Sequence, residues 1–297
     1  MAKYSSVMAA LSHGLRGAIT AAPGHVLYCA DYAGIEARVL LWAAGDENGL
    51  NLFRQNKDLY LDMAEAIYGH PCTKEDHPTE RAVGKVGILG LGYGMGASKF
   101  VATCEIMAGV TITEEFSKQV VDAYREKYAK VKQLWYDQEA AAIRAVTTSK
   151  RVFAGKVVWF TEGRFLFCQL PSGRRLAYPY PEVKMTEMRW GGQKLALSHM
   201  GVDTYTRKWK RLTVYGGLIV ENEIQAMSRD IMAAGMRNIE AHPTYQMVLS
   251  VHDEALAEAA KGTGSVQEFV QLLTTLDPWA KGCPITAEGW SGFRYRK

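Results

Sequence analysis

The chain has 297 residues, 48% of them hydrophobic and 22% charged, enough to bury a substantial core as one large domain or two moderate ones. No run approaches the roughly 20 apolar residues of a membrane span, and MAKYSSVMAALSHG at the start lacks a secretory cleavage pattern, so a cytoplasmic location without membrane contact is expected. The net charge of +4 is compatible with a polyanionic partner but does not demand one, and Cys29, Cys72, Cys104, Cys168 and Cys283, scattered and without a C-x-x-C pair, are expected as reduced buried thiols.

In chain order, His25 to Leu41 reads as strand, turn and helix, the apolar run HVLYCA giving way to helical spacing after Gly34. From Leu50 to Tyr68, Leu52, Leu59, Met63, Ala66 and Ile67 recur at helical intervals until Gly69 and Pro71 stop them. A second helix is expected from Thr79 to about Met95. Its glycines Gly84, Gly87, Gly90 and Gly92 each cost about 1 kcal/mol relative to alanine, so packing must hold it, and flexing is expected. Thr113 to Val146 reads as a long amphipathic helical region with Val121, Tyr124, Tyr128, Val131, Leu134 and Trp135 in the core. At Arg151 the pattern turns to alternating β-formers, VFAGKVVWF and RFLFCQLPSGRRLAYPYP, split by the turn Pro171-Ser172-Gly173. After Tyr215-Gly216-Gly217 a helix from about Glu221 to Ile239 leads into YQMVLSVHDEALAEAA, a hairpin with acids at its tip. The class is α+β, helical regions flanking a β insertion, with neither repeat nor linker to mark a boundary.

Two sets of residues carry chemistry. Asp31 ends the apolar strand HVLYCA, and Asp253 with Glu254 ends the apolar run MVLSV. One acid at a strand end is ordinarily a solvated turn residue, but two such strands side by side would gather carboxylates. Phosphoryl transfer gains most from positioning and charge neutralisation, which two Mg²⁺ ions about 4 Å apart supply, and Mg²⁺ requires hard oxygen ligands. Between the acids, Arg81, Lys85, Leu89 and Tyr93 recur every fourth residue, a helical stripe about 18 Å long with two cations to suit a triphosphate and an aromatic to suit a base. Standing alone, such a stripe is ordinarily just an exposed basic face. The run from Gly90 to Gly96 is not read as a dinucleotide loop, because no buried strand precedes it and no acid follows at the required distance. Arg207-Lys208-Trp209-Lys210-Arg211 and Arg294-Tyr295-Arg296-Lys297 are basic runs, ordinarily solvated faces, that could neutralise backbone phosphates.

D-Y-x-x-I-E-x-R at Asp31 to Arg38, R-x-x-x-K-x-x-x-L-x-x-x-Y-G at Arg81 to Gly94, and V-H-D-E at Val251 to Glu254 resemble, in this order, motifs A, B and C of the family A, DNA polymerase I-like, DNA polymerases. L-R-G-A-I, L-P-S-G-R and Y-G-G-L-I-V-E-N-E-I-Q-A look like the bacteriophage branch. The resemblance implies a palm with an antiparallel sheet from residues 1–46 and 212–297, and mostly helical fingers with a β insertion from residues 47–211. It implies two Mg²⁺ ions, replaceable by Mn²⁺, on Asp31, Asp253 and the Tyr32 carbonyl, with Glu254 a supporting acid. Arg81 and Lys85 would bind the dNTP triphosphate, Lys85 also protonating the departing pyrophosphate. Glu36 would be the steric gate against a 2′-hydroxyl, and Tyr93 would lie near the templating base. Gln225, His252 and Gly94 would contact a DNA primer-template.

Three positions depart from the family pattern: Leu89 replaces an aromatic that packs on the sugar, Gly34 a polar residue, and Tyr60 a histidine that contacts the triphosphate in many relatives. The family's thumb, its T-G-R segment and its 3′-5′ exonuclease have no counterpart in the chain, which implies a weak grip on duplex alone. They belong either to a separate partner chain or to a longer gene of which this is a fragment. The rivals are a catalytically silent or split nucleic-acid-binding fragment and a single-subunit RNA polymerase, against which Glu36 argues. A bacteriophage source would place the protein in the bacterial host cytoplasm.

Overall fold

The apolar run at His25 forms β1 (His25–Tyr32), which pairs on both sides in a four-stranded antiparallel sheet. A computed structural model describes residues 7–187 and 191–296, and the chain divides into two compact units. Residues 1–35, 228–281 and 285–297 form the first. Its sheet has the order β11 (Ala287–Gly292), β1, β10 (Glu254–Ala260), β9 (Gln246–Val251). Side chains alternate across a strand, so Leu27 and Cys29 of β1 share a buried face with Leu256 of β10, packed with Ala21, Trp290 and Tyr295. Helix α10 (Val266–Thr274), capped by Ser265 accepting from the Glu268 N–H at 3.1 Å, packs on β1 and β11. α1 (Val7–Gly17) lies at the start of the chain.

Residues 36–227 and 282–284 form the second unit. After α2 (Ile35–Ala44), the stretch expected to be one helix from Leu50 to Tyr68 is two, α3 (Glu47–Arg54) and α4 (Leu59–Tyr68). Asn56 takes a left-handed φ of 53° between them, and Asp58 caps the second. Gly69 ends α4 in the left-handed conformation at φ 73°, as its position suggested. α5 (Pro78–Leu91) stops short of Met95 and is followed by α6 (Ala97–Ala108). The helical region expected from Thr113 comprises two helices, α7 (Glu114–Lys127) and α8 (Ala129–Thr148). Thr113 caps the first, and Tyr128 at the break packs on Tyr124 with ring centroids 4.9 Å apart.

The β insertion comprises two antiparallel sheets. The first runs β2 (Val152–Ala154), β3 (Val157–Glu162), β4 (Phe165–Gln169), β5 (Arg175–Pro179), with Gly173 at φ 88° in the Pro171-Ser172-Gly173 turn. The second runs β6 (Glu182–Glu187), β7 (Gln193–Val202), β8 (Trp209–Val214). α8 anchors the first sheet: the buried Trp159 indole donates to Gln138 at 2.8 Å, and the Gln138 amide donates to the Ala154 carbonyl at 3.2 Å. α9 (Gly216–Glu240) begins earlier than periodicity suggested, and its first glycines lie against backbone. A Cβ at Gly216 would stand 2.1 Å from the Trp135 carbonyl oxygen, and one at Gly217 2.2 Å from that of Tyr93. All five cysteines are buried and free. Among the described residues, no helix is long and apolar enough to cross a membrane.

Candidate functional site

The first unit gathers the acids. Asp31 lies directly opposite Glu254 of β10 on one side and Glu288 of β11 on the other, so three acidic residues cross the sheet in one row on one face. The strands β9 and β10 are joined by His252 and Asp253 alone, and the Tyr32 N–H donates to the Asp253 carbonyl at 3.1 Å, tying the hairpin tip to the end of β1. His252 holds a left-handed φ of 55°; its exposed ring brings Nδ1 within 2.9 Å of Asp253 Oδ1. Gly34 sits at φ 63° where the chain leaves β1 for α2, a conformation that a side chain disfavours by about 1 kcal/mol, which accounts for glycine there.

Glu254 differs from its neighbours. It is buried, accepts from the Cys29 thiol at 3.0 Å and pairs with Arg16 at 3.6 Å, whose guanidinium lies over the Tyr295 ring. Burial, then the bond to Glu254, pushes the Cys29 thiol far above its ordinary range, so it stays a donor. Glu254 is thus engaged inside the sheet, while Asp31 and Asp253 are half-buried at its end. Glu288 was not singled out from sequence, because ITAEGW near the chain end is too short a pattern to assign a strand partner.

Two carboxylates and a backbone carbonyl suit a hard cation. The Tyr32 carbonyl accepts from the Gly34 N–H at 3.0 Å and keeps a second lone pair. Among the described residues no group of three or more His, Cys, Asp or Glu side chains forms a complete cage. Mg²⁺ does not need one: it is usually bound by one or two carboxylates, with water and substrate phosphates completing the shell.

The second unit carries the cations. Arg81, Lys85 and Leu89 lie along one face of α5, Lys85 exposed and the other two half-buried. Tyr93 is not on the helix, contrary to expectation. α5 ends at Leu91, and Tyr93 and Gly94 form a turn whose N–H groups bond the Gly90 and Leu91 carbonyls, with Gly94 at φ 78°. Trp135 fixes this turn by donating to the Gly92 carbonyl at 2.8 Å. The stripe is therefore a three-residue helical face followed by an aromatic on a separately anchored turn. The Tyr93 hydroxyl donates to Glu36 at 3.4 Å, and burial followed by the Glu36 charge pushes its phenol well above the ordinary range.

Arg81 donates to Asp58 and lies 5.3 Å from the Tyr60 ring centroid, while the Lys85 ammonium lies 5.9 Å from the same ring. Asp58 and the position of Tyr60 beneath both cations were not read from sequence. Gln225 is exposed on α9 and donates to Glu221 at 3.5 Å. In the basic run at β8, Lys210 pairs with Asp203 at 2.9 Å and Arg211 with Glu182 at 3.3 Å, and Trp209 just before them is exposed. In the C-terminal run, Arg294 bonds the Gly17 carbonyl and Arg296 lies over Trp290; Lys297 is outside the described residues.

The fold is that of a polymerase domain. Among solved structures it is similar to the POL domain of Pol1 from M. smegmatis in complex with DNA primer-template and dNTP, at a TM-score of 0.58 and 19% identity, over 94% of this chain and 41% of that one. Residues 6–160 match the model of DNA polymerase family A. The chain belongs to that family. It is 35% identical over 296 residues to the DNA polymerase of Bacillus phage SP02, covering 99% of this chain and 45% of the relative. It is 24% identical over 256 residues to the thermostable DNA polymerase I of Thermus aquaticus, covering 84% of this chain and 24% of that enzyme. The chain thus spans less than half the length of these relatives.

Proposed function

We propose that the protein is a DNA-directed DNA polymerase that transfers a nucleotidyl group from a dNTP to a primer 3′-hydroxyl by a two-metal mechanism. The observation that carries the reading is the meeting of Asp31 and Asp253 at the ends of paired strands, joined by the Tyr32 to Asp253 backbone bond, in a chain of this family. Asp31, Asp253 and the Tyr32 carbonyl would hold two Mg²⁺ ions, with Mn²⁺ able to substitute. When bound, such ions neutralise the triphosphate and the attacking and leaving oxygens. Residues 1–46 and 212–297 act as palm, and residues 47–211 as fingers. Arg81 and Lys85 bind the triphosphate, and Lys85 passes a proton to the departing pyrophosphate. Glu36, held by Tyr93, excludes a ribose 2′-hydroxyl, while Leu89 offers the sugar an aliphatic surface. Gln225, His252 and Gly94 contact the primer-template. Glu254 supports the acids through its hold on Cys29 and Arg16. The M. smegmatis relative is complexed with primer-template and dNTP, which supports these ligands for this chain. A phage source, which the SP02 relative supports, implies action in the host cytoplasm.

The alternative reading is a split polymerase that binds nucleic acid and extends a primer only together with a separate chain carrying thumb and exonuclease. One experiment separates the two. A labelled primer on a DNA template with dNTPs and Mg²⁺ at low salt is expected to extend, and Asp253→Ala to reduce extension by about 10³-fold or more, since metal stabilisation amounts to several kcal/mol. Extension that survives the substitution removes the proposed mechanism. Extension only after a thumb-bearing fragment is added supports the second reading.

A further inference from the structure

We infer that Asp58 is a positioning residue for the nucleotide triphosphate, acting through Arg81; the inference rests on the nucleotide-binding reading of α5 given above. Asp58 stands just before α4 and divides its carboxylate between two tasks. Oδ1 accepts from the Tyr60 and Leu61 N–H groups at 2.8 and 3.3 Å, which caps the helix. Oδ2 accepts from Arg81 Nε and lies 2.7 Å from both Nε and Nη2. One edge of the guanidinium is therefore committed to Asp58. The remaining edge, Nη1 with the second Nη2 proton, keeps the two-donor fork that a phosphate accepts.

Tyr60 adds a second restraint, its ring centroid 5.3 Å from the guanidinium carbon. Arg81 is still 26% exposed, so its other edge remains open to a ligand. A loose arginine loses rotamer freedom when it binds an anion; Arg81 has already lost it on folding. The carboxylate offsets part of the arginine's charge, so the pair exchanges raw attraction for direction. Uncompensated charge is left to Lys85, which is exposed and has no ion pair among the described residues.

Calorimetric titration of the full chain with dATP and Mg²⁺ tests this on wild type, Asp58→Asn, Arg81→Ala and the double variant. Asparagine caps as well as aspartate but carries no charge, so Asp58→Asn should leave thermal stability unchanged. It should weaken dATP binding about tenfold, the order of the rotamer freedom Arg81 would then lose on binding, and in primer extension raise KM rather than lower kcat. Asp58→Ser, which still caps but is too short to reach Arg81, should behave likewise. In the Arg81→Ala background Asp58→Asn should change nothing further. Wild-type affinity in Asp58→Asn, or an equal loss with Arg81 absent, overturns the inference while leaving the nucleotide reading intact. Wild-type affinity in Arg81→Ala, or no dATP binding by the wild type, overturns both.

Discussion

Glu223 is a buried carboxyl group whose donor among the described residues is a weak one, a thiol. It is buried on the first half of α9, where the Cys168 thiol donates to it at 3.6 Å, and desolvation pushes its pKa up to about 8. Because the folded value lies above the unfolded one, the folded protein keeps, between about pH 5 and 8, a proton that the unfolded chain has already released. The stabilisation is fully present below the unfolded pKa and is lost as pH rises through 8. Thermal unfolding from pH 5 to 9 should therefore show a steeper loss of stability in wild type than in Glu223→Gln, with the variant more stable at pH 9 by on the order of a few kcal/mol. Parallel pH profiles would show that Glu223 stays ionised when buried. The same scale sets what could be read in advance. The placement of Asp31 and Asp253 at strand ends was legible because each follows its own apolar run, a signal contained in a few residues. Asp58 was not, since its partner Arg81 lies 23 residues away and an acid before a helix reads simply as a cap.

Glycines decide how closely the second unit's helices approach. A Cβ at Gly84 would stand 2.2 Å from the Tyr60 carbonyl oxygen, so α4 and α5 touch backbone to backbone there, beside Arg81 and Lys85. At Gly87, one turn on, the same Cβ would meet Met63 Cγ at 3.7 Å and Leu91 Cδ1 at 3.8 Å, both ordinary contacts. The two positions should respond oppositely to alanine. Gly84→Ala should destabilise by about 2–3 kcal/mol through forced separation of the helices, and Gly87→Ala should stabilise by up to about 1 kcal/mol through propensity. Denaturant midpoints of the two variants check this; similar values would mean that α4 and α5 can shift apart freely. Periodicity marked the stretches of α2 to α5, α7 and α8 but merged neighbours, because an unbroken apolar pattern conceals a backbone turn, and it gave no expectation for α6. The breaks at Asn56 and Tyr128 come from φ/ψ and packing, and the end of α5 from the anchoring of Gly92 by Trp135.

For the whole molecule, composition carried no mark of the division into units, because the chain enters and leaves the first unit several times without a linker and only the contacts define it. Charge was legible as a total but not as an effect. The chain carries 35 Lys and Arg against 31 Asp and Glu, and what matters for a polyanion is how many of those cations are already paired. In the run before and within β8, Asp203 accepts from Thr206 and from Lys210, which hold its carboxyl well below the usual range, and Glu182 pairs with Arg211. Arg207 and Lys208 are exposed and have no ion pair among the described residues. A phosphate approaching this strand would meet two ready cations and two that must first leave a carboxylate. If this surface contributes to DNA binding, the Arg207→Ala, Lys208→Ala double variant should lower the slope of log affinity against log salt by about 2, the counterion release of two phosphate contacts. Lys210→Ala should change it by less than 1, because part of that charge is already answered by Asp203. Slopes that do not differ from wild type would remove β8 from the DNA-binding surface and leave its exposed cations as an ordinary solvated edge.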